Sequence, residues 1–332
     1  MSRPKLEPAG LFRRVPLLPH QMVERITPPQ DIIVLCHLGV PRIDAASWTL
    51  TVGGLVARPQ TLTFSDLLRY PKRSVTTIHQ CAGNPLAPQE PTHRISNVQW
   101  AGARLSDILN DCDVDPKARY LWATGADYGE FAGIAIDSYV KDLPLDRLNE
   151  DVLITYELNG APLPPENGYP VRLVVPGFYG TNSVKWLTGL TLETARASGP
   201  FTTRWYNDPV IDADGRDTGA SVPVWSVAPE SVIVSPAPDV ELRLGAEYEI
   251  WGWAWADAGI AQVDIAFGES ESPRAAQLEP RTHRGWQRFS LSWRPTTAGP
   301  VLLSSLAHSA DGQQQPPTGR RNAIHVVPIN IV

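Results

Sequence analysis

The residues with the clearest chemical potential surround one cysteine, Cys81. It follows a strand-like apolar segment, residues 75–78, and precedes a Gly83-Asn84 turn. A thiolate at the end of a strand is a soft metal ligand that is held on a rigid element with its sulfur free. A lone cysteine can equally be a small buried hydrophobe, so Cys81 by itself leaves both interpretations open.

A second segment, residues 168–187, combines strand-like residues with cations. Arg172 follows Gly-Tyr-Pro-Val, and Lys185 follows a loop of small polar residues, 180–183. Arginine can bind phosphate through two parallel N–H groups, lysine acts as a compact charge, and the backbone N–H groups of such a loop can face an anion. Each cation alone is also explained as a surface residue. The loop of small polar residues before Lys185 favours an anion-binding role for that cation.

Residues 80–84, the segment around Arg172 and the Val184-Lys185-Trp186 motif resemble the sulfite oxidase family of molybdenum-cofactor enzymes, over nearly the whole chain. The resemblance implies a molybdenum ion on one molybdopterin, with Cys81 as a catalytic residue and the only protein ligand to the metal. It also implies cofactor-binding residues, which are His37, Asn167, Arg172, Ser183 and Lys185.

Two of these implied roles have plain alternatives in the residues themselves. By resemblance, His37 contacts the pterin phosphate and Asp127, a second catalytic candidate, lies near the metal and the pterin. His37 could instead be a satisfied core histidine, and Asp127 a solvated turn residue.

The chain departs from the family pattern at four places. It has Leu35-Cys36 where the family has Arg-Asn, and Pro85-Leu86 where sulfite-oxidising members have two arginines. Asn167 replaces a histidine, and Phe131 stands where the family has a tyrosine beside the metal.

These departures bear on the substrate. Sulfite is a compact dianion that needs counter-charges when it leaves water. His93 and Arg94, on the segment leading to the family's substrate funnel, are candidate substrate residues with Phe131, and Arg320 and Arg321 are further candidates. The apolar replacements favour a more neutral acceptor or donor, such as a sulfoxide, over sulfite.

Strand signals dominate the chain. The pattern predicts an α+β class, with a mixed-sheet domain at 1–200, a connector at 201–227 and an immunoglobulin-like β-sandwich at 228–332. The resemblance implies that the first domain is a molybdopterin-binding domain of the sulfite oxidase type. Residues 1 to 30 are expected to wrap over the first domain as an arm. Trp251, Trp253 and Trp255 alternate on one strand face, where core or interface packing is favoured over a carbohydrate platform.

Net charge and cysteine content exclude several classes of binding partner. The net charge of −6 without a Lys/Arg run argues against nucleic acid and a membrane surface, and three cysteines in 332 residues argue against a disulfide framework. We expect a cytoplasmic protein without a signal peptide. The sequence contains no haem-attachment motif, so we expect no haem in this chain and an external electron carrier, a cytochrome or similar. The resemblance implies homodimerisation through the C-terminal domain.

The sequence therefore predicts a molybdopterin-dependent oxidoreductase that transfers an oxygen atom to or from a small substrate. A true sulfite dehydrogenase and a non-catalytic scaffold that retains the fold are the alternatives. Molybdenum content distinguishes the scaffold from the two enzymes.

Overall fold

The computed structural model describes residues 3–7, 17–83, 94–148, 151–212, 214–268, 271–316 and 321–332. The chain forms two compact units. Unit 1 comprises residues 1–14, 34–75 and 99–225, and unit 2 comprises residues 15–33, 76–98 and 226–332. Each unit is thus built from three chain segments, whereas the predicted domains are continuous ranges. The predicted ranges remain a prediction.

Strands account for most of the regular structure in the described residues. Those up to residue 225 are β1 (Leu6–Glu7), β2 (Val40–Pro41), β3 (Thr49–Gly54), β4 (Gln60–Thr63), β5 (Lys72–Gln80), β6 (Ile95–Arg104), β7 (Tyr120–Gly125), β8 (Gly129–Phe131), β9 (Ile134–Ile136), β10 (Val140–Pro144), β11 (Leu153–Leu158), β12 (Ala161–Pro162), β13 (Arg172–Val174), β14 (Leu187–Glu193), β15 (Asn207–Ile211) and β16 (Asp217–Pro223). The later strands are β17 (Glu230–Ser235), β18 (Glu241–Leu242), β19 (Tyr248–Trp255), β20 (Ile260–Phe267), β21 (Arg274–Ala275), β22 (Gln277–Leu278), β23 (Gln287–Trp293), β24 (Gly299–Ser309) and β25 (Val326–Ile331).

Helices are short throughout the described residues, as the sequence indicates. They are α1 (Phe64–Leu67), α2 (Leu105–Cys112) and α3 (Pro200–Thr203), with single turns of 3₁₀ helix between strands. None of the helices in the described ranges is long and apolar enough to cross a membrane.

Unit 1 is organised around a five-stranded sheet in the order β10-β7-β14-β3-β4. Strand β14 pairs parallel with β3, and the other neighbours are antiparallel, so the predicted mixed sheet is confirmed. Buried and half-buried residues alternate along β7, which gives it one face toward the core. The core includes Leu50, Leu121, Leu190 and Phe201.

A second sheet has the order β12-β11-β6-β5, and β13 also pairs with β11. A bulge separates Thr155 from Glu157 where β11 pairs with β6. A Cβ atom on Gly102 would lie 2.0 Å from the carbonyl oxygen of Ile154, so only glycine allows this close approach of the two strands. The boundary between the units falls within β5 and β6.

Unit 2 contains a β-sandwich, which confirms the prediction for the C-terminal part. One sheet has the order β17-β19-β23-β22 and the other the order β18-β25-β24-β20-β21. Both sheets contribute side chains to one core, among them Ile250, Ile265, Phe289 and Val327. Burial of these apolar side chains from both sheets is the main source of the sandwich's stability.

The N-terminal segment differs in part from the prediction. Residues 3–7 belong to unit 1, where β1 pairs with β2. Residues 17–30 belong to unit 2, so the expectation that they wrap over the first domain was wrong. The indole N–H groups of Trp253 and Trp286 donate to the carbonyl oxygens of Met22 (2.6 Å) and Arg25 (3.0 Å). Trp253 stacks on Trp286 with ring centroids 4.9 Å apart, and Trp255 is also buried. These tryptophans therefore pack inside unit 2, as predicted, and do not form an exposed platform.

Candidate functional site

The Lys185 amine makes three contacts within unit 1. Lys185 lies between the 3₁₀ turn Gly180–Asn182 and strand β14. Its amine donates to the carbonyl oxygens of Leu35 (2.6 Å) and Glu166 (2.9 Å) and contacts the Cys36 sulfur at 3.3 Å. An ammonium has three N–H groups, so these acceptors account for all of them. Lys185 thus links its own segment to residues 35–36 and to Glu166. With its N–H groups used in this way, it acts on a ligand mainly through its charge.

Arg172 begins β13 and is buried. Its guanidinium donates to the carbonyl oxygens of Asn167 (3.0 Å) and Ser183 (2.8 Å) and lies 4.7 Å from the ring centre of Trp100. Burial lowers the pKa of Arg172 to about 9, so it stays largely charged at neutral pH. It holds the Asn167 turn and the Ser183 loop in fixed positions.

Burial and the nearby Arg172 guanidinium also lower the pKa of Lys185. Two like charges therefore sit close together in a poorly solvated place. An anion bound beside them would offset the repulsion and part of the desolvation.

The small polar loop before Lys185 uses its backbone differently from the prediction. The amides of Asn182 and Ser183 donate to Tyr179 (2.9 Å) and Gly180 (3.0 Å), inside the turn. These two donors therefore do not face an anion. The Ser183 hydroxyl oxygen accepts from the Val175 amide at 3.0 Å, which leaves its O–H as the donor that this side chain can offer.

Asp127 follows β7 and is buried, so the solvated-turn alternative does not describe it. A Cβ on Gly125 would lie 2.6 Å from an Asp127 carboxylate oxygen and 2.8 Å from the Lys185 carbonyl oxygen. The absence of a side chain at Gly125 lets Asp127 approach Lys185. Burial raises the pKa of Asp127 to about 7, and the Lys185 charge opposes this shift. Asp127 can therefore hold or release a proton near neutral pH.

This shift predicts how stability depends on pH. Because the folded pKa, about 7, exceeds the ordinary value of 3.8, the folded state binds the proton more tightly, and stability falls as pH rises through this window. In cofactor-free protein, Asp127→Asn should remove this loss, on the order of 1.4 kcal/mol per pH unit between the two values. In thermal unfolding, the stability of the variant relative to the native protein should increase between pH 5 and pH 8.

The exposed Asp146→Asn is the control, and it should leave the pH profile unchanged. A difference between Asp127→Asn and the native protein that is constant over this pH range would contradict the assignment.

His37 lies in an aromatic cluster of unit 1. Its Nε2 is 2.6 Å from the Tyr206 hydroxyl, and its ring packs on Phe131 (4.9 Å) and Phe201 (5.4 Å between centroids). Burial, and to a smaller degree the Lys185 charge, lower the pKa of His37 to about 4. The ring is therefore neutral at physiological pH, and it can meet a phosphate only as a hydrogen-bond donor.

Phe131, a candidate substrate residue, is half-buried in this same cluster against His37 and Trp205. The contact between His37 and Tyr206 was not predicted from the sequence. Tyr206 lies far along the chain and carries no motif that marks it.

Cys81 lies in unit 2, immediately after β5, and is half-buried. Its amide donates to the Arg94 carbonyl oxygen at 2.8 Å, and its sulfur lies 3.2 Å from the Gly83 amide. The Arg94 guanidinium donates to the Gly83 carbonyl oxygen, and the Arg321 Nε donates to that of Ala82. Burial raises the pKa of the Cys81 thiol, while the Gly83 amide and both arginines lower it.

Gly83 lies beside the sulfur. A Cβ at this position would lie 3.2 Å from the Arg94 Nη1 atom and 3.6 Å from the Cys81 sulfur. The sulfur and the guanidinium therefore both lie close to Gly83, and a side chain there would press on the guanidinium. His93, Arg320 and the Pro85-Leu86 pair lie outside the described residues.

Unit 1 therefore contains all five predicted cofactor-binding residues and the catalytic candidate Asp127, and unit 2 holds the thiol and its two arginines. The first group is His37, Asp127, Asn167, Arg172, Ser183 and Lys185. Within the described ranges, no three His, Cys, Asp or Glu side chains form a metal cluster.

Comparison with known proteins identifies the family of this chain. Residues 37–201 match the oxidoreductase molybdopterin-binding domain family. Mitochondrial sulfite oxidase of Macaca fascicularis is 30% identical over 313 residues, covering 86% of this chain and 56% of that protein. The crystal structure of the sulfane dehydrogenase SoxCD from Paracoccus pantotrophus superposes with a TM-score of 0.79 at 29% identity, covering 94% of this chain and 85% of that one. The chain belongs to the sulfite oxidase family.

Other members are similar over shorter stretches. A nitrate reductase [NADH] of Hordeum vulgare is 30% identical over 280 residues, which is 74% of this chain and 30% of the reductase. The chain spans about half the length of the sulfite oxidases that it matches.

The residues present fit the molybdopterin of the sulfite oxidase family. The buried Arg172 and the half-buried Lys185 supply positive charge for a phosphate. The Asn167 side-chain oxygen is buried, and no described residue donates to it, so a ligand N–H group would satisfy it. Cys81 offers a thiolate, the soft donor that suits molybdenum.

Proposed function

We propose that this protein is a molybdopterin-dependent oxidoreductase that transfers an oxygen atom to or from a small substrate. The observation that carries the proposal is the half-buried Cys81 sulfur at a strand end, with Gly83 and the Arg94 guanidinium close to it. When bound, molybdopterin with its metal supplies the two-electron chemistry that accompanies oxygen-atom transfer.

The chain's own residues would divide the remaining work. Cys81 would ligate the metal, and Arg172, Lys185 and the Ser183 hydroxyl would bind the pterin and its phosphate. Asp127, with a pKa raised to about 7, would accept or release a proton near neutral pH. His37, whose pKa is lowered to about 4, would contribute a neutral N–H group.

The substrate is proposed to be a small sulfur anion. The missing arginine pair by itself favours a more neutral substrate, but Arg94 and Arg321 both bind the backbone of the Cys81 turn and supply positive charge there. The relatives that support sulfur chemistry are sulfite oxidases and a sulfane dehydrogenase. A sulfite dehydrogenase therefore stays within the proposal.

Three further properties complete the proposal. The electrons would pass to an external carrier, since the chain has no Cys-x-x-Cys-His motif for haem attachment. Homodimerisation would use the C-terminal sandwich. A reducing, cytoplasmic location agrees with free thiols at Cys36, Cys81 and Cys112.

The proposed charge role predicts a selective kinetic effect. Arg94→Gln should raise KM for sulfite by about tenfold, because a hydrogen bond to a charged group contributes about 1.5–3 kcal/mol. It should change KM for neutral dimethyl sulfoxide much less. Steady-state assays with an artificial electron acceptor for sulfite and an artificial donor for the sulfoxide measure both.

Arg288→Gln is the matched control, because Arg288 pairs with Glu249 and Trp251 on the sandwich. It should alter neither KM. Equal losses for the anionic and the neutral substrate in Arg94→Gln would show that Arg94 only supports the turn.

Metal analysis tests the proposed function as a whole. Protein expressed with molybdate should contain molybdenum at near one atom per chain, and a panel of sulfite, S-oxides and N-oxides should identify the substrate class. A native protein that binds no molybdenum would support the non-catalytic scaffold instead.

A further inference from the structure

Gln80, the residue before Cys81, is completely buried and makes three side-chain hydrogen bonds within unit 2. Its amide nitrogen donates to Glu230 at 2.5 Å and to the Asn322 side-chain oxygen at 2.8 Å. Its amide oxygen accepts from the Trp255 indole N–H at 3.0 Å. Both N–H groups and one lone pair of this amide are thus satisfied by side chains from the C-terminal part of the chain.

Asn322 and its neighbour Arg321 hold the chain on both sides of Cys81. Asn322 binds Gln80 and also donates to the Ala228 carbonyl oxygen at 2.8 Å. Arg321 donates to the Ala82 carbonyl oxygen. Asn322 has a φ of +63°, a conformation that asparagine adopts more readily than most residues. Two consecutive residues therefore fix the positions immediately before and after the thiol.

We propose that Gln80, Glu230, Trp255 and Asn322 form a positioning network that sets the direction of the Cys81 sulfur. The inference rests on the proposed role of Cys81 as the metal ligand and extends it to side chains of the sandwich. A metal ligand must be held within about 0.5 Å of its productive position, and neighbouring side chains that are locked by hydrogen bonds provide this precision.

The burial of the network explains why its members act together. Glu230 is 1% exposed and Trp255 is 1% exposed, so a lost partner is not replaced by bulk water. Removing one bond leaves a polar group in a poorly solvated place, and the strand end must move to satisfy it. That movement displaces Cys81, the next residue in the chain.

The test uses the full chain and four variants. Gln80→Leu removes all three bonds, Trp255→Phe removes only the indole donor, and Glu230→Gln keeps an acceptor oxygen for Gln80. The control is Gln287→Leu, because Gln287 is also a buried glutamine, bonded to the backbone of Ile260 and Glu279 in the sandwich.

Two measurements report on Cys81. In cofactor-free protein at one pH, the rate of Cys81 alkylation by N-ethylmaleimide is followed by peptide mass spectrometry. In protein expressed with molybdate, molybdenum content is measured. Gln80→Leu should speed alkylation by about fivefold or more and lower molybdenum content by about 10–100-fold. Trp255→Phe should change both in the same direction, and Glu230→Gln should behave as the native protein.

The control separates position from stability. Gln287→Leu should lower the Tm and leave both Cys81 measurements unchanged. If Gln80→Leu and Trp255→Phe match Gln287→Leu in both measurements, the network does not position the thiol and the inference is wrong. If Gln80→Leu does not fold, the comparison of Trp255→Phe with Glu230→Gln in the same two measurements decides whether the network positions the thiol.

A Cys81→Ser protein distinguishes this inference from the proposed function. Should it retain native molybdenum content, the ligand role fails, and the positioning of a metal ligand fails with it. Should it lose molybdenum while Gln80→Leu and Trp255→Phe keep native values, only the network is refuted.

Discussion

Cys81→Ser is expected to purify with at least about 100-fold less molybdenum and correspondingly low activity, while its fold is retained. Removing residues that only support a ligand already costs 10–100-fold, and serine offers a hard hydroxyl that stays protonated where a thiolate would bind a soft metal. The exchange of sulfur for oxygen changes the side-chain volume little. Elemental analysis, turnover with the preferred substrate and thermal unfolding measure the three expectations.

Cys112→Ala is the matched control. Cys112 is buried in the core of unit 1 at the end of α2, so its loss removes a thiol without touching the Cys81 turn. It should cost some stability and retain molybdenum. Native molybdenum content in Cys81→Ser would remove the basis of the proposed function. If the native protein contains no metal and Cys81→Ser does not differ from it in any of the three measurements, the scaffold alternative is established.

Gly125→Ala should have the second-largest effect, because it changes the spacing of Asp127 and Lys185, two residues of the proposed cofactor site. Its new Cβ would stand 2.6 Å from the Asp127 carboxylate and 2.8 Å from the backbone oxygen of Lys185. Backbone cannot rotate away as a flexible side chain can, so Lys185 and Asp127 must shift apart. Overpacking of this kind costs about 1–3 kcal/mol. We expect a lower Tm and a loss of most bound molybdopterin.

Gly53→Ala provides the comparison in the same sheet. Gly53 lies on β3, and nothing is within 4 Å of a Cβ placed there. This variant should keep its cofactor and stay close to native stability. Pterin content can be read from the fluorescence of the oxidised cofactor after denaturation. Equal pterin content in the two variants would mean that the spacing of Asp127 and Lys185 does not matter for binding.

Local signals in the sequence predicted much of the fold. Thr63 and Asp66 form the reciprocal cap of α1, because a threonine and an acidic residue three positions apart can satisfy each other's backbone amides. At α2 the corresponding cap is absent, because the side chain of the N-cap residue Arg104 makes no capping hydrogen bond. Burial of Leu105, Ile108 and Leu109 stabilises that helix instead.

The cofactor residues show where such signals end. Arg172 and Lys185 were identified because they match motifs of the family that the chain resembles, and the small polar loop before Lys185 also suits an anion. The sequence did not show that the N–H groups of Lys185 donate to the backbone of Leu35 and Glu166 and to the Cys36 sulfur. No residue type in the sequence indicates which backbone oxygens a side chain will reach. Nor did the sequence show that two loop amides turn inward. Hydrogen-bond partners are chosen by geometry, and most lie far apart along the chain.

The sequence alone determined the candidate metal ligand, the family and the class of fold, because these depend on residue type and short spacing. Tertiary structure decided the environment of each group: the pKa of Asp127 raised to about 7, that of His37 lowered to about 4, and the network around Gln80. Desolvation and buried hydrogen bonds arise only when distant segments exclude water together, so no local pattern of residues contains them.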